Sequence, residues 1–261
     1  MGPLAALAIA GAGLAAGTIN VVVGSGTLVT FPVLLAVGYS PLVANVSNTV
    51  GLVPGNLSGI HAYRRELSDA EQLHRATRLG VFSVTGAIGG SLLLLELPGT
   101  AFRRVVPFLI LLACALVALQ PRISRWLAAT DEHGTTPGPR SPVAGRRGRA
   151  LAVAVFATGV YGGYFGAAQG VILISLLAIF MEDHLQRLNA IKNVLATLAN
   201  LVAAVIFSFS GHVSWEAAGV LAVGAAVGGQ VGGILGRRLP QPILRSAIVV
   251  VGTAVAIALL V

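Results

Sequence analysis

Two groups of polar residues flank glycine-rich stretches in a sequence that is otherwise strongly apolar. Amide and hydroxyl donors, backbone N–H groups at the start of a helix and a single cation together suit the binding of a small anion. Thr49 extends the first group, and Thr197 and Asn200 extend the second. The candidate substrate-binding residues are Asn20, Gly24, Ser25, Gly26, Thr27, Asn45, Ser47 and Asn48 in the first group, and Gln169, Gly170, Asn189, Lys192 and Asn193 in the second.

Lys192 is the most informative of these residues. It is the only lysine of the chain, whose other sixteen Lys and Arg residues are all arginines. A cation deep in an apolar segment is costly to leave unpaired, so an anionic substrate would relieve part of that cost. Two alternatives remain open at this point. The lysine extends along the apolar surface to the membrane interface, or the polar residues serve only to hydrogen-bond neighbouring helices.

Catalytic and cofactor motifs are absent from the sequence. It contains no Gly-x-Ser-x-Gly, Walker or His-Glu-x-x-His motif, and its nine acidic residues and five histidines fall in loops or at the ends of apolar segments. The single cysteine, Cys114, lies in an apolar run and is expected to be a buried, inert side chain. We therefore predict no enzymatic activity, no cofactor and no metal site.

The composition excludes a soluble protein. Hydrophobic residues make up 56% of the 261 residues and charged residues only 10%, whereas a soluble domain has about 25% charged residues. The mean hydropathy is +0.87. The net charge of +8 comes from arginines between apolar runs, where cytoplasmic loops carry them. We therefore predict a multi-pass membrane protein with no nucleic-acid partner.

Ten apolar segments, each taken as a helix, give an all-α polytopic fold. A helix needs about 20 residues to cross the hydrocarbon core, and two segments of eleven residues are too short. Each short segment follows a glycine-rich break, which is typical of transporter binding sites. The predicted segments are 3–23, 27–37, 42–60, 79–95, 105–120, 150–168, 171–181, 188–209, 217–236 and 243–261.

The chain also repeats itself. A shift of 144 residues superimposes the two short segments, and it places Gly26 on Gly170 and Asn45 on Asn189. The same shift places Asn56 on Asn200. It predicts a membrane repeat over 1–120, a flexible cytoplasmic linker over 121–149 and a second repeat over 150–261. The linker's Ser, Thr, Gly and Pro content cannot bury enough apolar surface to order it.

The arginines predict the orientation of both repeats. With the linker in the cytoplasm and five passes in each half, fourteen arginines face the cytoplasm and two, Arg103 and Arg104, face outside. The opposite orientation violates the positive-inside rule. An odd number of passes in each half inverts the second repeat relative to the first. We therefore predict 5+5 inverted repeats with both termini outside the cytoplasm.

Two stretches resemble a known family. The run from Gly24 to Pro32 followed by Ala44 to Thr49 resembles the glycine-rich break and following helix of the sulfite exporter TauE/SafE family. The run from Gln186 to Leu195 is similar to that family's corresponding segment, as is Asn200 with Phe207 downstream. The resemblance extends over essentially the whole chain. It implies a permease of the bacterial cytoplasmic membrane for small sulfur-containing or organic anions such as sulfite and sulfonates.

These observations predict a secondary transporter that moves such an anion by alternating access. Its partners would be the anionic substrate and the lipid bilayer, with a homo-oligomer as a further possibility. A passive anion channel lined by the same donors is one alternative. A membrane assembly protein without transport activity, in which the polar residues serve packing alone, is the other.

Overall fold

The computed structural model describes residues 1–67, 69–131, 146–181, 183–235 and 241–260. Within these ranges the chain forms ten α-helices and no strand, which confirms the all-α prediction. The helices are α1 (Pro3–Val22), α2 (Thr27–Ala36), α3 (Pro41–Ala62), α4 (Ala70–Glu96), α5 (Gly99–Asp131), α6 (Arg146–Tyr164), α7 (Gln169–Phe180), α8 (Leu185–Ser208), α9 (Trp215–Leu235) and α10 (Gln241–Leu260).

Four helices of the described part are long and apolar enough to cross a bilayer. They are Pro3–Val22, Ala70–Glu96, Gly99–Arg122 and Gln186–Ser208, with mean hydropathies of 1.8, 1.6, 2.2 and 1.8. Large apolar side chains on the outside of the bundle, such as Val153 and Val223, are more than half exposed, as lipid-facing residues are. The protein is a multi-pass membrane protein. The number of helices that cross the bilayer stays a prediction.

The two short helices lie where the sequence predicts them. α2 has 10 residues and α7 has 12, so each reaches about 15–18 Å along its axis. That is about half of the hydrocarbon core. Each helix follows an irregular segment, residues 23–26 before α2 and 165–168 before α7. Irregular backbone at this depth requires protein or a water-filled cavity to satisfy its polar groups.

The helix contacts follow the same pattern in both halves. The repeat makes α1 to α5 equivalent to α6 to α10, in that order. In the first half, α1 and α3 pack on α9 and α2 contacts α10; in the second half, the equivalent helices α6 and α8 pack on α4 and α7 contacts α5. The equivalent helices α3 and α8 also contact each other, and so do α5 and α10. Small residues permit this close packing. A Cβ built on Gly13 of α1, for example, would lie 2.6 Å from the carbonyl oxygen of Leu221 in α9.

Residue pairs across the interfaces give the relative directions of the helices. In α1 and α9, Gly13 faces Leu221, and Gly17 lies against Ala225, so these helices run parallel. α3 runs parallel to α9 as well, because Gly51 and Gly55 face those same two residues in the same order.

α3 and α8 run in opposite directions. Asn189, near the start of α8, hydrogen-bonds Tyr63, which follows the end of α3. Thr197, further along α8, hydrogen-bonds Asn56, which lies earlier in α3.

The connection between the helices of the two halves is shorter in the structure than the predicted linker of residues 121–149. α5 continues through residues 121–131, which were predicted to belong to the linker, and α6 begins at Arg146. Arginines and other polar residues can continue a helix beyond the apolar span, so the loss of hydropathy after Gln120 does not mark its end. The prediction of a flexible tether falls mainly on residues 132–145, which lie outside the described part of the chain.

Candidate functional site

The irregular segments of the two halves touch each other. The N–H of Gly170 donates a hydrogen bond of 3.1 Å to the carbonyl oxygen of Gly24. A Cβ built on either glycine would lie 2.5 Å from the Cα of the other, closer than real Cβ atoms approach. Gly24 has a φ of +81° and Ala168, its counterpart under the 144-residue shift, has a φ of +57°. The same left-handed kink therefore precedes both short helices.

Four backbone N–H groups at the starts of these helices donate hydrogen bonds within the protein. Gly26 donates to the side-chain oxygen Oδ1 of Asn20 at 2.8 Å, and Gly170 donates to Gly24. Gln169 and Val171 donate to the carbonyls of residues 166 and 168. The sequence predicts that such N–H groups bind an anion. In the structure, these four are already engaged within the protein.

A small cavity lies beside the contact between the two kinks. Its volume is about 20 Å³, which is room for about one water molecule. Both halves contribute to its wall. Of the predicted residues, Asn20, Gly24, Thr27, Gln169, Gly170, Lys192 and Asn193 line it, together with Val21, Asn56, Gly59, Gly166, Ala196, Thr197 and Asn200.

Lys192 is buried in the wall of this cavity. The residue is only 1% exposed, and its Nζ donates to the carbonyl oxygen of Val21 at 3.4 Å. Within the described part of the chain it forms no ion pair, although the other buried basic residue, Arg75 at 8% exposure, is paired with Asp183. The side chain therefore does not extend to the membrane surface, and its charge faces a polar cavity.

A chain of hydrogen bonds fixes which way two asparagine side chains point. The Gly26 N–H can only donate, so the atom of Asn20 that it meets is the oxygen Oδ1. The Nδ2 of Asn20 then donates to Oδ1 of Asn56 at 2.9 Å. The remaining polar atom of Asn56, its Nδ2, is a buried donor without a hydrogen-bond partner in the described residues. The wall of the cavity thus offers an N–H group at this position.

Two further amides of the cavity wall have unpartnered donors. Neither Nε2 nor Oε1 of Gln169 has a partner among the described residues, and the same holds for Nδ2 of Asn193. Both residues are buried, at 2% and 6% exposure. Buried polar atoms are hydrogen-bonded in most proteins, so a concentration of unpartnered ones requires an explanation. Amide donors and an ammonium group are the kinds of group that bind anions in proteins.

The other predicted residues hydrogen-bond helices to one another away from the cavity wall. Asn45 donates to the carbonyl of Tyr164 at 3.0 Å, and Ser47 accepts from the N–H of Ser214 at 2.8 Å. Asn189 donates to the hydroxyl of Tyr63 at 2.7 Å. For these three residues the packing alternative describes the structure.

Three remaining predicted residues also lie outside the cavity wall. Asn48 donates to Thr27 at 3.2 Å and accepts from Thr30. Ser25 is 1% exposed, and its hydroxyl has no partner in the described residues. Gly26 is close to Ala16: a Cβ on Gly26 would lie 2.5 Å from the carbonyl oxygen of that residue. The N–H of Gly26 donates to Oδ1 of Asn20 and so is not available to the cavity.

Asn56, Thr197 and Asn200 are not among the predicted substrate-binding residues, although all three line the cavity. A signal for two of them was present. Asn56 and Asn200 superimpose under the repeat, and each follows the preceding repeated asparagine by eleven residues. Eleven residues are about three helical turns, which puts both asparagines on one face of their helix.

A comparison with known families decides the class of this protein. A family model described as "Sulfite exporter TauE/SafE" matches residues 9–259. The chain belongs to the sulfite exporter TauE/SafE family. Among the described residues of this TauE/SafE protein, no group of three or more His, Cys, Asp or Glu side chains is arranged to hold a metal ion.

Curated relatives of the TauE/SafE chain carry transporter names. "Probable membrane transporter protein YfcA" of Escherichia coli K12 is 26% identical over 94% of this chain and 86% of its own length. "Probable membrane transporter protein ORF9" of a Sinorhizobium species is 27% identical over 94% and 88%. "Probable membrane transporter protein" of Haemophilus influenzae is 24% identical over 82% and 78%. No solved structure matches the chain. Family and relatives indicate a membrane transporter rather than an enzyme.

Proposed function

We propose that this TauE/SafE protein is a secondary transporter that carries a small sulfur-containing or organic anion across the bacterial cytoplasmic membrane by alternating access. The observation that carries the proposal is the cavity between the two kinks. There the buried Lys192 and the unpartnered amide donors of Asn56, Gln169 and Asn193 line the cavity. An oxyanion such as sulfite or a sulfonate has several acceptor oxygens and a charge opposite to that of the lysine.

The burial of Lys192 supports an anionic substrate on energetic grounds. Desolvating an ammonium group costs several kcal/mol in real proteins, and the cost falls only when an opposite charge and hydrogen bonds compensate for it. The contact of 3.4 Å with the Val21 carbonyl provides a partial charge at long range. An anion in the cavity would supply a full opposite charge and would accept from the amide donors as well.

The architecture supports alternating access. We propose that the halves are inverted repeats, because α3 and α8 correspond in the repeat and run antiparallel. α3 runs parallel to α9, as the facing glycines indicate. The equivalent pair is α8 and α4. The side chains of Gln72 and then Ser83 along α4 hydrogen-bond Asp183 and then Leu195, so α4 and α8 run parallel too. Transporters built from inverted repeats move one repeat against the other around a central site.

The orientation in the membrane is part of the proposal. The arginine distribution favours the linker, the connection from α3 to the first turns of α4 and the start of α8 on the cytoplasmic side, with both termini outside. The helix directions agree with this arrangement, because the end of α3 and the start of α8 lie at the same face of the bundle.

The size of the cavity also favours a carrier that moves. A volume of about 20 Å³ accommodates one water molecule, whereas sulfite has four heavy atoms. The walls must therefore separate for the anion to bind. The walls belong to different halves, so a displacement of one half against the other enlarges the site.

Flux measurements in proteoliposomes test the proposal. The purified protein is reconstituted and assayed with sulfite, thiosulfate, a sulfonate and a carboxylate as separate substrates. A carrier gives saturable flux, and unlabelled anion on the opposite side accelerates the exit of labelled anion. Flux that rises linearly with concentration and shows no such exchange indicates a channel. Protein-free liposomes are the control, and flux no faster than theirs with all four anions would leave only the assembly role.

A further inference from the structure

Tyr63 and Asn189 lie next to residues that line the candidate site. Tyr63 follows the end of α3, four residues after Gly59 in the cavity wall, and Asn189 precedes Lys192 by three residues in α8. The two side chains belong to opposite halves and are joined by a hydrogen bond of 2.7 Å. Tyr63 also packs with Val21 and Ala190 in a small hydrophobic cluster. Val21 is itself part of the cavity wall, so this cluster borders the cavity directly.

A second, larger cavity is lined by residues that flank Tyr63 in the sequence. It has a volume of about 260 Å³ and is lined by His61, Ala62, Arg64, Arg65 and Glu66. Arg64 and Arg65 immediately follow Tyr63 in the sequence, and Arg64 is exposed at the protein surface. This cavity is therefore a basic depression at the surface. In the sequence, Tyr63 lies between Gly59, which lines the candidate site, and Arg64, which lines this depression.

The opposite side of the candidate site is closed by a much thicker layer. The 144-residue shift relates Tyr63 to Phe207 and Asn189 to Asn45. Phe207 is fully buried and belongs to a large hydrophobic cluster. That cluster also contains Phe31, Phe102 and Phe165, with ring centroids 5.4 Å apart for Phe31 and Phe165 and 6.3 Å apart for Phe102 and Phe165.

The two closures also differ in their distance from the site. Tyr63 lies four residues, or about 6 Å along the helix axis, beyond Gly59, the last residue of α3 in the cavity wall. Phe207 lies seven residues, or about 10 Å, beyond Asn200 at the other end of the cavity wall. Opening past Tyr63 breaks its hydrogen bond to Asn189 and separates the apolar side chains of a small cluster. Opening past Phe207 requires part of the large hydrophobic cluster to separate, which costs more because more apolar surface is uncovered.

We propose that Tyr63 and Asn189 form the thin gate of the transporter, and that the site opens through them toward the basic depression around Arg64. This inference rests on the proposed transport function and adds a route to it. The arginines at the mouth attract anions from solution. The gate then separates them from Lys192 by one layer of side chains.

Cysteine accessibility tests the gate without reference to transport. Ala196 lines the cavity, so a cysteine is introduced there as A196C in a background where Cys114→Ala removes the native thiol. A membrane-impermeant thiol reagent is added to membrane vesicles of either orientation, and the labelling rate is compared. Tyr63→Ala should accelerate labelling at least tenfold from the face that carries Arg64 and leave the rate from the opposite face unchanged.

Two variants make the comparison sharp. Tyr63→Phe keeps the ring and removes only the hydroxyl, so labelling from the Arg64 face should rise about fivefold, the change expected for one hydrogen bond. Phe207→Ala is the matched control at the equivalent position of the other half. It should leave the labelling rates within twofold of the parent from both faces, because the rest of the large hydrophobic cluster stays in place.

The outcomes of this experiment separate the gate from the transport function. Unchanged labelling in both Tyr63 variants would overturn the gate, as would an equal or larger increase in Phe207→Ala. Labelling does not depend on which anion is carried. Absence of flux in proteoliposomes together with the expected labelling pattern would therefore contradict transport and leave the gate standing. Saturable flux without the expected labelling pattern would support transport and contradict the gate.

Discussion

The contact between Gly24 and Gly170 is the position where the smallest change should have the largest effect. Gly24→Ala adds one methyl group to a residue with a φ of +81°, and that methyl would lie 2.5 Å from the Cα of Gly170. A left-handed backbone costs an L-residue about 1 kcal/mol. An extra methyl in a closely packed interior costs about 2 kcal/mol. The sum predicts that Gly24→Ala lowers the free energy of unfolding by about 3 kcal/mol.

The two contributions can be separated within the same chain. Ala168 already has a Cβ at the position equivalent to Gly24, with a φ of +57°, so the fold tolerates the backbone cost when no glycine lies opposite. Gly170→Ala has the complementary property, because its methyl meets Gly24 while its backbone is helical. We expect it to lower the free energy of unfolding by about 2 kcal/mol.

Thermal unfolding of the purified protein in detergent measures these effects. A loss of 1 kcal/mol lowers Tm by about 3 °C in a protein of this size, so Gly24→Ala should lower Tm by about 9 °C and Gly170→Ala by about 6 °C. Gly219→Ala is the matched control. A Cβ there meets nothing within 4 Å, and the substitution should raise stability by about 0.5 kcal/mol because it favours the helix. Equal Tm values for Gly24→Ala and Gly219→Ala would refute the close contact of the two kinks.

Three further predictions concern orientation, cohesion and the site. In a cysteine-free background, thiols at Gly138 and Gly211 should label from opposite faces of intact cells, and labelling of both from outside would contradict the inverted repeats. Asp183→Asn should lower the free energy of unfolding by about 2 kcal/mol in a denaturant titration, because the buried Arg75 guanidinium then keeps only the more exposed Glu71 as an acidic partner. An unchanged midpoint would show that the pair does not hold α4 to α8. Gln169→Leu should weaken anion binding about fivefold in calorimetry through the loss of one donor, and unchanged affinity would remove Gln169 from the site.

The sequence was sufficient to predict the elements that form the site. Glycine-rich breaks and the short apolar runs after them located both short helices, because length limits what a helix can span. Charge placement identified Lys192 as the exceptional residue, and the structure buries it in the cavity wall. The repeat carried the information that Asn56 and Asn200 are equivalent, and both line the cavity.

The partner of each polar side chain could not be predicted from the sequence. Asn48 is the counterpart of Lys192 in the repeat, yet it is satisfied by Thr27 and Thr30. Asn189 lies less than one turn from Lys192 but contacts Tyr63. Such choices depend on which helices come together in the fold, and residue type and spacing do not determine that. For the same reason the sequence could not distinguish side-chain donors from the backbone N–H groups that the protein itself uses.

The affinity of Lys192 variants for anions tests the central claim most directly. Lys192→Met keeps the length of the side chain and removes its charge, whereas Lys192→Arg keeps the charge with a larger, planar group. Equilibrium binding of sulfite to the purified variants should show at least a tenfold loss for Met, about 1.4 kcal/mol, and a smaller loss for Arg. The Met variant should also be at least as heat-stable as the parent, because an unpaired buried cation has been removed. Unchanged affinity in Lys192→Met, with the parent binding sulfite, would contradict the assignment of this lysine to the substrate.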